Sequence, residues 1–195
     1  MRNRALLAGV ICLVVSNAAE AQKPAVSLHC VPQQTQNLAT RPSPYDSLKI
    51  TVGSQYAMLC YSRPSLKGRK MIGGEAIPYG KLWRTGANEP TIIHIPFAAM
   101  IAGVHVEPGS YSIYSVPAAE GDWEIIVNRS ITQWGHESRY TDAVKAQEVG
   151  RAKAKTEKTS SPVEMMTFRT VPAQGGADLV LEWETTRVTI PIRPM

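Results

Sequence analysis

The chain has 195 residues, with 21 Lys and Arg against 16 Asp and Glu for a net charge of +5, and 44% of its residues are hydrophobic. The basic residues are spread along the sequence rather than gathered on one element, which argues against a nucleic-acid binder. The charge therefore reads as a solubility feature with a modest bias toward anionic partners.

In chain order, residues 1–21 read as a signal peptide. Arg2 and Arg4 start it, "ALLAGVICLVV" is a short apolar run, and "AEA" (Ala19, Glu20, Ala21) places small residues where a signal peptidase reads. The run is too short to span a membrane comfortably, and no other segment is apolar enough to do so. A mature, soluble chain from Gln22 is expected, exported to the periplasm or the extracellular space, with 19 basic and 15 acidic side chains left for a charge of +4. Cys12 lies inside the apolar run and Cys30 well past the cut, so no lipid anchor is expected.

Residues 22–44, rich in Pro, Gln, Ser and Thr, read as a disordered tail or linker. Residues 45–195, roughly 150 in number, suit a single domain with one core. There the apolar period is two almost throughout. "SLKITV" and "QYAMLCY" form a hairpin about Gly53-Ser54, followed by "TIIHI", "MIAGVHV", "YSIYSV" and "WEIIVN". Pro108-Gly109 suits a type II turn, with Gly109 at positive φ. One short helix is expected within Glu137–Glu148. "VGRAKAK" reads as an exposed edge strand because basic and small residues alternate. "VEMMTFRTV", "DLVLEWE" and "RVTIPI" complete the set, the last two joined by a tight turn at Thr185-Thr186. The fold class expected is all-β, an antiparallel β-sandwich.

Cys30 and Cys60 survive processing. They could pair in an oxidising compartment, a link of about 3–4 kcal/mol on the chain-entropy argument. Alternatively Cys60, which shares a strand face with Tyr56 and Met58, is a buried thiol. A catalytic role fits neither, since no His or helix start is close in sequence.

Several strings, among them "YSRPSLKGRKMIGG", "IPYGKLWRTGANEPT", "EPGSYSIYSVP" and "LVLEWETTRVTIPI", resemble a bacterial secreted family known as domain of unknown function 2911. The resemblance runs from about Arg41 to Ile192. It implies an exported domain and carries no catalytic residues over. Pro90 stands where a small residue is usual in the family, which stiffens the loop exit.

The candidate site lies in the irregular segments on either side of "MIGGEAIPYG". Arg63, Lys67, Arg69 and Lys70 follow one strand, and Trp83, Arg84, Asn88 and Glu89 follow the turn. If adjacent, Arg63, Arg69 and Arg84 would grip a carboxylate, phosphate or sulfate with their planar forks, Asn88 would orient it and Trp83 would stack. The competing structural reading uses the same residues to satisfy loop backbone, with Arg84 paired to Glu89. His29, His94, His105 and His136 have no zinc-motif spacing, so neither a metal nor a cofactor is expected. Trp123 and Trp183 alternate with aliphatic residues and belong to the core, whereas Trp134 could plug the fold or line a pocket. The leading reading is a non-catalytic binding module for a small anion, an acidic glycan or an envelope component. A hydrolase using Glu89 or His136, and a purely structural envelope protein, are the alternatives.

Overall fold

The computed structural model describes residues 25–195. The expected signal peptide lies outside the described residues. The all-β, antiparallel expectation holds: nine strands form one hydrogen-bonded ladder in the order β1-β2-β3-β6-β7-β8-β9-β4-β5. They are β1 (Tyr45–Val52), β2 (Gln55–Ser62), β3 (Thr91–Ile95), β4 (Ala99–Ile101), β5 (Val104–Val106), β6 (Gly109–Val116), β7 (Trp123–Asn128), β8 (Glu148–Ala173) and β9 (Gly176–Pro194). The 26-residue β8 joins the two halves, pairing with β7 through Ala154 and with β9 from Lys155 onward. β1 returns against β9, and β5 against β8, so the halves enclose one core.

Inward positions follow the pleat. Leu48, Ile50 and Val52 of β1 share the core with Ala57, Leu59 and Tyr61 of β2, and Gly53 takes the positive φ at the turn between them. Three tryptophans meet at the centre. Trp83 stacks on Trp183 at 5.9 Å and 20°, and meets Trp123 edge-on at 6.2 Å.

Three local expectations are corrected and a fourth is borne out. "MIAGVHV" is a hairpin, because Ala102 and Gly103 both take positive φ and turn β4 into β5. Gly109 takes no positive φ; it begins β6, opposite Ile95 of β3. The chain crosses there from one half to the other, and the Tyr111 hydroxyl fastens the corner by donating to the Glu107 carbonyl at 2.7 Å. Thr185-Thr186 is not a turn either. β9 runs straight on, but Glu184 has φ 53° and the inward set switches from Leu179, Leu181 and Trp183 to Val188, Ile190 and Ile192. A one-residue irregularity resets the face without ending the strand. "VGRAKAK" lies at an edge as expected: from Gly150 to Ala154 it pairs with β7 on one side, and β9 joins β8 only from Lys155 onward. Its cations face outward, while Ala154 stands opposite Trp123 with both side chains buried.

The expected helical stretch becomes a 3-10 turn, Glu137–Arg139, and a four-residue helix α1, Asp142–Lys145, capped by Thr141. Residues 25–44 contain one 3-10 turn, Leu38–Thr40, and otherwise run as a strap held at discrete points.

Candidate functional site

The segment "PYGKLWRTGANEP" folds inward. Trp83 is buried, its indole Nε1–H donates to the Gly86 carbonyl, and its backbone exchanges two hydrogen bonds with Ser115. The stacking role expected for it is thereby corrected: the core has taken the ring. Thr85 and Asn88 hold left-handed φ values of 54° and 59°, and the Asn88 amide reaches Ser43 and Ser62. Glu89 is 2% exposed and does not pair with Arg84. Arg41 of the strap donates to both its carboxylate oxygens at 2.9–3.0 Å, and the Gln34 backbone N–H donates to one of them. Arg84 pairs with Glu137 at 3.0 Å. Gly135 closes this region, since a Cβ there would stand 2.3 Å from the Asn88 carbonyl oxygen.

The other cations expected at the site are also engaged separately. Arg63 donates to Asp46, Thr167 and the Met166 carbonyl, and Arg69 to the carbonyls of Ser65 and Leu66. Lys67 is exposed, and its backbone N–H meets Glu164. The three arginines do not converge on one point; each has found its own acceptors. Among the described residues, the Asn88–Ser62 hydrogen bond is the one that joins the two segments of the expected pocket.

A cleft of about 1130 Å³ opens elsewhere, on the outer face of β3 and β6. Its floor includes Ile92, His94 and Ser110. One wall is the strap, with His29, Val31, Gln33 and Gln34; the other is the 131–144 excursion, with Thr132, Gln133, Trp134 and Arg139. Gln33 spans the gap, donating to the carbonyls of Ile131 and Gln133. The strap is fastened beside the cleft by a Cys30–Cys60 disulfide whose Cα atoms are 5.4 Å apart. The excursion is held from below: Asn128 donates to the Tyr140 hydroxyl and the Val144 carbonyl, and Gln133 to the Tyr114 hydroxyl.

The cleft's electrostatics are simple. No Asp or Glu lines it, and Arg139, the ionised side chain of the lining, forms no ion pair among the described residues. His94 Nδ1 lies 2.7 Å from Ser110 Oγ, and burial lowers the ring's pKa, so the imidazole is neutral at neutral pH. Tyr45 at the rim is pushed up to about 12, first by burial and second by the charge of Glu89, against the opposing effect of Arg41.

Residues 43–192 match the family described as "Protein of unknown function (DUF2911)". The chain belongs to the DUF2911 family. No curated protein and no solved structure matches it. In this DUF2911 chain the family match covers β1 through most of β9, so the floor and the excursion wall lie inside it, whereas the strap wall lies before residue 43. Among the described residues no three His, Cys, Asp or Glu side chains are grouped to hold a metal ion, and no helix is long and apolar enough to cross a membrane.

The cleft residues of the DUF2911 domain had little to mark them in the sequence. His94 falls within the strand "TIIHI" and Ser110 directly after the Pro108-Gly109 pair; only the register His94↔Ser110 puts them side by side. Trp134, undecided between plug and pocket, is half-buried and lines the cleft.

Proposed function

We propose that this protein is a non-catalytic binding module whose site is the cleft between the strap and the 131–144 excursion, and that its ligand is a small molecule carrying an anionic group. The observation that carries this reading is the Arg139 guanidinium, without an ion pair among the described residues, at a cleft that no carboxylate lines. An anion entering there gains a planar donor fork and meets no like charge. Ligand-induced thermal shift with a panel of small carboxylates, sulfate and phosphate tests it. A shift that disappears in Arg139→Gln supports the reading, and no shift with any of them sinks it in favour of a structural role.

The protein is further proposed to act after export. The basic start, short apolar run and "AEA" of residues 2–21 support this, as does the Cys30–Cys60 disulfide, which is typical of an oxidising compartment. Amino-terminal sequencing of the protein recovered from its native host would expose a mature start near Gln22, or its absence.

A hydrolytic reading rests on a pair other than those expected. Glu89 is fixed by Arg41, and His136 caps the short 3-10 turn through Ser138, whereas Ser110 and His94 stand at hydrogen-bond distance on the cleft floor. No carboxylate is among the lining residues to orient His94, which favours binding over catalysis. Covalent labelling of Ser110 by a fluorophosphonate would reverse that preference.

A further inference from the structure

We infer that the anionic ligand is a short saccharide bearing a uronate carboxylate. This rests on the reading of the cleft as a binding site and goes on to the chemistry of its walls. A site for a bare anion concentrates cations or N–H groups on one point, and the cleft does not do so: it offers a single guanidinium, which matches a single carboxylate.

Besides Arg139 the lining combines apolar Val31, Ile92, Ile131 and Val144 with neutral polar groups that both donate and accept. The Gln34 side-chain amide, the Thr132 hydroxyl and the Gln33 Oε1 make no hydrogen bond with other described residues. Ser110 occupies His94 Nδ1, and no partner among the described residues takes Nε2. That nitrogen is not buried, because Arg84 Nε is the one buried, unpartnered side-chain polar atom among the described residues. A ring with several hydroxyls, each both donor and acceptor, is the ligand that such a set can satisfy. Trp134 adds a half-buried indole on the excursion wall, a flat apolar surface for the C–H face of a sugar. At about 1130 Å³ the cleft is somewhat larger than most small-molecule sites, and so has room for more than one ring.

The test uses the chain from Gln22 with its disulfide intact. Titration calorimetry is run with trigalacturonate, neutral galactotriose, benzoate and inorganic phosphate, on wild type, Arg139→Gln and Trp134→Ala. Arg139 is exposed and Trp134 half-buried, and a cooperative melt confirms that each variant is folded. The inference expects trigalacturonate to bind wild type about tenfold or more tighter than galactotriose, that preference to vanish in Arg139→Gln, and both saccharides to weaken in Trp134→Ala. If benzoate or phosphate binds through Arg139 and trigalacturonate does not, the anion site stands and the saccharide assignment is overturned. If no probe binds, both fail. Saccharide binding untouched by either substitution overturns the placement in this cleft.

Discussion

Replacing Cys30 with Ser removes the covalent anchor of the strap while leaving Cys60 beneath it as a small apolar thiol. The disulfide closes a loop with a sequence separation of 30 residues. On the chain-entropy argument a loop of that length is worth about 3.5 kcal/mol, which for a domain of this size lowers the melting temperature by about 7–14 °C. The remaining tethers, Gln33 to the excursion and Arg41 to Glu89, keep the strap near its place in the folded state, so most of the loss comes from the larger freedom of the unfolded chain. Differential scanning calorimetry of wild type, wild type with a dithiol reductant, and Cys30→Ser measures this directly. The last two should agree. A drop smaller than about 3 °C would refute the reasoning, since the cross-link would then constrain nothing that the unfolded chain was free to do. Hydrogen exchange localises the effect: amides of residues 25–36 should lose protection ahead of those in β2.

Glu89→Gln strips the charge from a carboxylate that is 2% exposed and leaves the Arg41 cation beside it without a counter-charge. A loss of about 3 kcal/mol in urea unfolding is expected, and a loss below about 1 kcal/mol would mean that water reaches the pair. Trp83→Ala should cost about 3–5 kcal/mol through the cavity left between Trp123 and Trp183, and a near-wild-type denaturant midpoint would contradict the packing described. Gly135→Ala drives a methyl into the Asn88 carbonyl and should melt well below wild type; an unchanged melt would show that the loop can retreat. For Tyr45 the folded pKa, about 12, lies above the unfolded value near 10. Its contribution is therefore complete below about pH 10 and is lost as pH rises toward 12, seen as a falling melting temperature alongside tyrosinate absorbance. Glu148, held down by Arg151, and Glu182, held down by Arg169 and Arg187, work in the opposite sense. Their contribution is present above the unfolded carboxylate range and fades as acid carries the pH through their folded values.

The strands were legible because alternation is a local property. Leu48, Ile50 and Val52 announce their face whatever lies opposite. Turn chemistry was less reliable where two structures share one signal: Pro108-Gly109 serves a crossing between halves, and Glu184 to Thr186 a change of face within one strand. The candidate site was harder still. Trp83, Arg84, Asn88 and Glu89 look like a binding set because a buried irregular loop needs aromatic, guanidinium and amide groups for its own support. The cleft gathers its lining from the strap, β1, β3, β6 and the excursion, segments far apart in sequence. No local pattern reports a surface assembled by long-range register.

The ladder also dictates a schedule. Ala99–Ile101 of β4 pair with Ile192–Pro194 of β9, more than ninety residues away, although β3, just before β4 in sequence, already pairs into the opposite half. A chain under synthesis can form the β1–β2 hairpin early, but the small β4–β5 hairpin has no sheet to join until β9 has emerged. Closure of the core thus waits for the most distant contact in the ladder, and folding should be slow, with a late step that joins the 99–106 region to the 190s. For as long as that step is pending, the edge of β9 and the apolar face of β4 stand open, and that interval is when association between chains competes with folding.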